Sequence, residues 1–284
     1  MVRGVKLDLR TELRVPMGPV VLAGYDSAAT PLAGRNKKGR LALPTDDGPE
    51  LRELAQRLYA DATVGGTRSL LLVLQGMDTS GKGGTTDHVV NTIRPTSVRY
   101  QAFKAPTEEE RQHDFLWRIR KHAPSAGELQ VFDRSHYEDV LIVRVHNLVP
   151  EGEWSARYDQ INDFESELAA NGTVIVKCFL HVSYETQRKR LLARLNDPTK
   201  HWKFNPADVD ERQRWSDYVT AYEAALEKCN TPQAPWHVVP ADSKMYRNWA
   251  VARLVHESLA ELDPQWPQPD YDIDEMRARL QPPN

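Results

Sequence analysis

Residues 69–87 read SLLLVLQGMDTSGKGGTTD. The run SLLLVLQ is short and apolar, which is typical of a strand buried on both faces of a parallel sheet. Gly76, Gly81 and Lys82 then match the G-x-x-x-x-G-K part of a P-loop. The next apolar-periodic residues, TTDHVVNTI, predict a helix that Pro95 helps to end. A strand before the loop and a helix after it favour a P-loop over the alternative, a glycine-rich turn with an exposed lysine.

Such a loop binds phosphate through its backbone. Its N–H groups converge on phosphate oxygens, the start of the following helix adds positive potential, and Lys82 supplies a mobile point charge. The phosphate-binding candidates are Gly76, Thr79, Ser80, Gly81, Lys82, Gly83 and Gly84.

The loop departs from the usual pattern at two positions. Gly83 stands where Ser or Thr would bind Mg²⁺ through its hydroxyl, and Asp78 introduces a carboxylate. A carboxylate would repel phosphate unless a cation lies between them, so Asp78 is predicted to bind Mg²⁺, with Mn²⁺ as an alternative metal. The other role open to Asp78 is to cap the following helix through the N–H groups of Ser80 or Gly81.

A second carboxylate follows another apolar run in ELQVFDRSHYED. Asp133 and Arg134 come at the carboxyl end of the predicted strand, where ligands bind in open α/β sheets. Asp133 is therefore a candidate for the same metal, and Arg134 for the transferring phosphoryl group. A local ion pair between the two residues is the alternative.

Along the rest of the chain, short apolar runs alternate with segments whose apolar residues have helical spacing. This pattern predicts an α/β fold with a parallel sheet flanked by helices. The further strand candidates are 98–103, 129–132, 173–180 and 236–239. The further helix candidates are 51–59, 108–122, 154–170, 185–195, 209–228 and 246–262.

The composition indicates which partners and which cellular compartment to expect. The chain has 37 Lys plus Arg and 40 Asp plus Glu, a net charge of −3, so neither nucleic acid nor an acidic membrane is the expected partner. No apolar run approaches the roughly 18 residues of a membrane span, and residues 1–16 lack the apolar core of a signal peptide. Cys178 and Cys229 are widely separated, which fits a reducing compartment. A cytoplasmic location is expected.

Positive charge is concentrated in residues 184–203, YETQRKRLLARLNDPTKHWK. Arg190 and Arg194 lie four residues apart and share a helix face. In a chain with net negative charge, this segment is a candidate lid that closes on phosphates. A solvated helix surface is the alternative.

The motifs GMDTSGKGG, FDRSHYED, RLLARLNDPTKHWKF and APWHVVPADSKMYRNWA together resemble the family-2 polyphosphate kinases over about residues 51–262. The resemblance implies phosphoryl transfer between inorganic polyphosphate and nucleotides with Mg²⁺, without a covalent enzyme intermediate. It implies that Asp78 and Asp133 organise metal and phosphate, that Lys82 and Arg134 stabilise the transferred group, and that Arg190 and Arg194 lie on a lid.

Scattered Gly and Pro residues up to about Asp47 predict an N-terminal arm, and the Pro-rich ending predicts a tail. The resemblance implies the domain between them and an assembly. An N-terminal arm over residues 1–50 precedes a P-loop kinase-like domain over 51–262, which includes a helical lid at about 184–228. A tail over 263–284 follows, and a homo-dimer or homo-tetramer is expected.

The implied acceptors are AMP and ADP, with guanine nucleotides as an alternative to adenine, and the nucleotide is expected to enter from the lid side. Glu138, Asp139 and Lys203 are the nucleotide-side candidates. Relatives that act on AMP can carry Asn where this chain has Asp133, so the preference between AMP and ADP stays open. An ATP-dependent nucleotide or small-molecule kinase is the first alternative function, and a non-catalytic polyphosphate or nucleotide sensor is the second.

Overall fold

A five-stranded parallel sheet forms the centre of the computed structural model, which describes residues 8–44 and 47–281. A separate two-stranded hairpin precedes it. The strands are β1 (Gly34–Arg35) and β2 (Leu41–Ala42) in the hairpin, and β3 (Ser69–Gln75), β4 (Val98–Ala102), β5 (Leu129–Asp133), β6 (Thr173–His181) and β7 (Trp236–Pro240) in the sheet. The sheet order is β4-β5-β3-β6-β7.

The central position of β3 explains its sequence. It pairs with β5 on one side and β6 on the other, and all seven of its residues are buried. A strand covered on both faces needs apolar side chains at successive positions rather than at alternate ones, as in the run Leu70–Leu74. The five predicted strands and the parallel α/β fold are therefore confirmed.

Helices cover the sheet. They are α1 (Leu9–Leu13), α2 (Gly48–Ala62), α3 (Lys82–Thr92), α4 (Trp117–Arg120), α5 (Ile142–Val145), α6 (Glu151–Ala170), α7 (Tyr184–Leu195), α8 (Ala207–Gln213), α9 (Trp215–Lys228), α10 (Lys244–Leu262) and α11 (Ile273–Arg279). Helices α2, α3 and α10 pack together, while α5 contacts both α6 and α9. None of the helices in the described ranges has both the length and the apolar character that crossing a bilayer requires.

Serine caps fix where two of the site-bearing helices begin. The Ser183 hydroxyl accepts a hydrogen bond from the N–H of Thr186 at the start of α7, and the Ser243 hydroxyl accepts one from Tyr246 at the start of α10. Both helices follow directly after sheet strands. Their first turns therefore lie at the carboxyl edge of the sheet, beside the loop that follows β3.

The predicted continuous helix over 108–122 is wrong. The structure has a 3₁₀ turn at Glu110–Gln112 and then only the short helix α4. His113 between them is extended, and the Asp114 carboxylate accepts a hydrogen bond from the N–H of Leu116. Local side-chain bonding of this kind competes with a continuous helix. The predicted helix over 209–228 is likewise interrupted, because α8 ends before Arg214 and α9 begins after it.

The described part of the N-terminal segment packs against the domain. Leu9 and Leu13 on α1 are buried, and the N–H of Val15 donates to the carbonyl oxygen of Trp236 in β7 at 2.8 Å. In the C-terminal segment, α11 has no buried residue. The predictions for residues 1–7, 45–46 and 282–284 lie outside the described residues.

A buried ionic cluster lies directly beneath the segment that follows β5. Lys177 on β6 donates to Glu165 on α6 at 2.6 Å, to the Tyr137 hydroxyl at 2.8 Å and to the carbonyl oxygen of Cys229 at 2.6 Å. Glu165 also accepts from Tyr137 at 2.8 Å and lies 3.1 Å from His136 Nε2. Burial alone would raise the pKa of Glu165, but Lys177 and His136 lower it overall. The cluster ties the residues after Asp133 to two other elements.

We expect the Lys177→Met substitution to lower the free energy of unfolding by about 3–5 kcal/mol, because it leaves the buried Glu165 carboxylate without its cation. Urea unfolding of the single variant, of Glu165→Gln and of the double variant measures the effect. The double variant should recover much of the loss. A single Lys177→Met variant as stable as the parent would show that the pair contributes little.

Candidate active site

The loop between β3 and α3 is held in an unusual backbone conformation. Thr79 has φ 59° and Gly81 has φ 109°, both in the left-handed region. A Cβ atom on Gly81 would lie 1.8 Å from Nη1 of Arg247, so the glycine is required by space as well as by its φ. Gly83, by contrast, lies within α3, and a Cβ atom there would come no nearer than 4.0 Å to Asp133 Oδ2.

Side chains bind the carbonyl oxygens of five consecutive loop residues. Those acceptors are Gly76, Met77, Asp78, Thr79 and Ser80. Lys82 Nζ donates to the carbonyl oxygens of Gly76 at 2.7 Å and Met77 at 3.4 Å. Gln187 on α7 donates to that of Asp78 at 3.0 Å. Arg190 on α7 donates to the carbonyl oxygens of Thr79 at 2.8 Å and Ser80 at 3.0 Å. Arg247 on α10 also donates to that of Ser80, at 3.0 Å.

The N–H side of the loop is the side left for a ligand. Helix α3 begins at Lys82, and the first N–H groups of a helix have no intrahelical acceptor. With the carbonyl oxygens bound by donors, the local dipoles and the helix start present positive charge to the cleft. The loop is therefore built to bind an anion.

Asp78 and Arg134 face each other across the site. Arg134 Nη2 lies 3.4 Å from Asp78 Oδ1, and Arg134 itself has φ 64°, with its N–H donating to Leu74 in β3. Burial alone would lower the pKa of Arg134, but the carboxylates of Glu138 and Asp78 raise it overall. Asp78 does not cap α3, because the N-cap residue is Gly81 and the Asp78 carboxylate pairs with Arg134 instead.

Asp133 ends β5 and is half-buried. Among residues 8–44 and 47–281, its carboxylate forms neither a hydrogen bond nor an ion pair, so the local pair with Arg134 is not formed. Its negative charge acts on Lys82. Burial and Arg134 lower the pKa of Lys82, and the carboxylates of Asp78 and Asp133 partly oppose this shift.

A cleft of about 660 Å³ opens in front of the loop. In the described part of the chain, nine basic side chains line it against three acidic ones. The basic residues are Lys82, Lys104, Arg134, Arg190, Arg194, Lys200, Lys203, Lys244 and Arg247, and the acidic residues are Asp78, Asp87 and Asp133. This excess of cations in a chain of net charge −3 marks a site for a polyanion.

A second cavity of about 760 Å³ adjoins the cleft and has a more apolar wall, which includes Phe115 and Val149. The two cavities share three lining residues, namely Phe103, Lys104 and Arg134. Arg134 thus lies where a ligand in one cavity would meet a ligand in the other.

The second cavity also contains two of the three nucleotide-side candidates, Glu138 and Asp139. Asp139 pairs with Arg157 at 2.8 Å, although burial raises the pKa of Asp139 to about 6. Burial also raises the pKa of Glu138, in spite of Arg134 and Lys82. Lys203, the third candidate, lies apart from them and lines the cation-rich cleft.

The structure thus gathers Asp78, Lys82, Asp133, Arg134, Arg190 and Arg194 around one cleft, together with Thr79, Gly81, Gly83 and Gly84. The side chain of Ser80 is fully buried, and Gly76 lines a smaller third cavity instead.

Sequence reasoning missed several residues of the site. They are Lys104, Gln187, Lys244 and Arg247, and Lys200 was noticed only as part of a charged run. Lys104 and Lys244 follow the ends of β4 and β7, so the rule that singled out Asp133 could have found them. Gln187 and Arg247 act on backbone carbonyl groups, for which the sequence carries no signal.

Comparison with known proteins identifies relatives of this chain over the region that contains the site. The family model described as Polyphosphate kinase 2 (PPK2) matches residues 43–267. The AMP/ADP-polyphosphate phosphotransferase of Meiothermus ruber is 44% identical over 255 residues, which are 90% of this chain and 94% of that protein. The ADP-polyphosphate phosphotransferase of Rhodopseudomonas palustris is 47% identical over 62% of this chain and 64% of its own. The crystal structure of polyphosphate kinase 2 from Arthrobacter aurescens TC1 superposes with a TM-score of 0.92 at 48% identity and covers 96% of both chains.

The two loop glycines provide a matched pair of substitutions. We expect Gly81→Ala to lower the free energy of unfolding by at least about 1–2 kcal/mol, because alanine is strained at this φ and its Cβ displaces Arg247. Gly83→Ala should not lower it, because Gly83 is helical and its Cβ position is open. Urea unfolding of both variants measures the difference. Equal effects at the two positions would contradict the assigned loop geometry.

Proposed function

This chain belongs to the polyphosphate kinase 2 family, and we infer that it transfers phosphoryl groups between inorganic polyphosphate and adenosine mono- or diphosphate. The family match over residues 43–267 and the M. ruber relative, matched over nearly its whole length, support this function. The observation in the structure that carries it is the junction of a cation-rich cleft with a more apolar cavity at Arg134.

Each substrate fits one cavity. The cleft, with nine basic side chains and the N–H side of the loop, suits the polyphosphate chain. The second cavity, with Phe103, Phe115 and Val149 in its wall, suits the nucleoside. We infer that the nucleotide enters beside β4 and the segment after β5, which the apolar cavity adjoins, and not from the lid side. The phosphate of the nucleotide would then meet the end of the donor chain beside Arg134.

Asp78 and Asp133 would hold Mg²⁺, or Mn²⁺ in its place. The donor set fits, because both carboxylates line the cleft and that of Asp133 has no partner among the described residues. Those residues contain no group of three or more acidic, histidine or cysteine side chains placed for a metal, so phosphate oxygens and water would complete the shell. The cation would supply neutralisation of the phosphate oxygens between the two substrates.

Transfer needs no covalent enzyme intermediate. A nucleotide phosphate oxygen is already ionised at neutral pH, so no general base is required to make it a nucleophile. Lys82 and the loop N–H groups orient the donor, while the Arg134 guanidinium binds the phosphoryl group in transit. The left-handed backbone at Arg134 and the buried cluster beneath the next residues fix the point from which its side chain extends, and Asp78 pairs with the guanidinium.

Two finer assignments rest on the sequence. A cytoplasmic location is supported by two free, buried cysteines, Cys178 and Cys229. A homo-dimer or homo-tetramer is supported by the family resemblance. Separate reactions with AMP, ADP, GMP and GDP determine the preferred acceptor.

The assay incubates the purified protein with Mg²⁺, long-chain polyphosphate and AMP, ADP, GMP or GDP, and separates the nucleotides by chromatography. Formation of ADP or ATP that requires both polyphosphate and metal supports the proposal. Transfer only from ATP to another acceptor would favour the ATP-dependent kinase instead. Binding of polyphosphate without turnover in either direction would favour the sensor.

We expect Asp78→Asn and Arg134→Ala each to lower kcat at least about 100-fold, because each removes a charge that acts on the transferring group. Both side chains are partly exposed, so the variants should remain folded. Glu185→Gln on the exposed surface of α7 provides a control with one charge removed. Normal turnover in either folded site variant would overturn the site assignment.

A further inference from the structure

Arg247 is a buried arginine whose guanidinium group lies behind the P-loop. It extends from the first turns of α10 and is only 3% exposed. Its Nη1 donates to the carbonyl oxygen of Ser80 at 3.0 Å, and its Nε donates to the hydroxyl of Thr85 at 2.7 Å. One planar group therefore holds the last residues of the loop and the first turn of α3 at the same time.

Arg190 approaches the same loop from the opposite helix. Its Nη1 donates to the carbonyl oxygens of Thr79 and Ser80. Its Nη2 donates to the backbone carbonyl oxygens of Ala241 and Asp242 after β7. The two guanidinium groups thus converge on one acceptor, the carbonyl oxygen of Ser80. In the described part of the chain, neither group forms an ion pair with a carboxylate.

A pair of cations in such surroundings is costly without an anion. Burial and the neighbouring Arg190 lower the pKa of Arg247 to about 10. Neutral oxygens of carbonyl, amide and hydroxyl groups accept from the N–H donors but do not neutralise the charge. Both arginines line the cation-rich cleft, where a phosphate chain would bring the missing negative charge.

We propose that Arg247, acting with Arg190, is a positioning residue that holds the carbonyl side of the P-loop away from the cleft, so that the loop N–H groups face the polyphosphate donor. This proposal rests on the proposed function for the identity of the donor. The fork geometry is essential, because the guanidinium reaches a backbone carbonyl and a hydroxyl at once. The clash of a Cβ on Gly81 with Nη1 of Arg247 shows how closely the group is fitted to the loop.

The conservative substitution Arg247→Lys separates this role from a simple charge effect. A lysine keeps the positive charge in the cleft, but its single ammonium group cannot span Ser80 and Thr85. We expect kcat to fall about 100-fold, as for a small misplacement of reacting groups, with the KM for the nucleotide unchanged within about twofold. The melting temperature of the free variant should fall modestly, because buried hydrogen bonds to Ser80 and Thr85 are lost, so kcat is compared at a temperature at which both proteins are folded.

Two further variants complete the design. Thr85→Val removes the hydroxyl acceptor of Arg247 without touching the cation, and it should lower kcat in the same direction by a smaller factor. Arg277→Met on the exposed helix α11 is the control for loss of an arginine and should retain the kcat of the parent.

A thermal-shift titration with tripolyphosphate gives a readout that does not depend on turnover. The parent should be stabilised by this probe, and Arg247→Lys should need a concentration about tenfold higher for the same shift. If the parent binds the probe but transfers nothing to nucleotides, the proposed function fails while the positioning role is still tested by this shift.

Three results would overturn the proposal. In the first, Arg247→Lys has the same kcat and the same response to tripolyphosphate as the parent. In the second, Thr85→Val has an unchanged kcat. In the third, unfolding explains the whole loss of activity in Arg247→Lys. The first would show that charge alone suffices, and the third would show a purely structural role.

Discussion

The site depends on how the carbonyl oxygens of residues 76–80 are bound. A strand-to-helix loop exposes both backbone donors and acceptors, and an anion can approach only the donors. Here Lys82, Gln187, Arg190 and Arg247 bind the five acceptors, and the start of α3 adds its free N–H groups on the other side. Because these donors come from three different helices, the loop conformation is a product of the whole fold and not of its own sequence.

The sheet determines which residues can meet at this loop. With β3 at the centre, the ends of β5 and β6 lie on either side of it, and those of β4 and β7 lie one strand further out. Asp133 and Arg134 follow β5, Lys104 follows β4, and the helices after β6 and β7 bring Arg190 and Arg247. The ionic cluster of Glu165 and Lys177 then supports the segment after Arg134 from below. Placement of the reacting groups therefore depends on strand order more than on any single contact.

The sequence predicted more of the fold than of the site's supports. Four of the five strands are predictable as short apolar runs, whereas the edge strand β4, VRYQA, alternates apolar and polar residues. The carboxyl end of β5 identifies Asp133 and Arg134. The helix over 108–122 was wrong because local bonding by Asp114 outweighs helical spacing. Gln187 and Arg247 could not be recognised, since their partners are backbone carbonyl groups brought near only by folding. Glycine at position 83 is explained in part, because the carboxylate of Asp133 lies beside it and is available to a metal where the usual hydroxyl is absent.

The proposed transfer requires polyphosphate in the P-loop cleft and the nucleotide in the neighbouring apolar cavity. A crystal structure with AMP, tripolyphosphate and Mg²⁺ would locate both ligands. Tripolyphosphate should lie against the N–H groups of residues 81–84 and the adenosine near Phe103 and Phe115, with the two ligands meeting at Arg134. Nucleotide phosphates seated in the P-loop, with tripolyphosphate elsewhere, would contradict it.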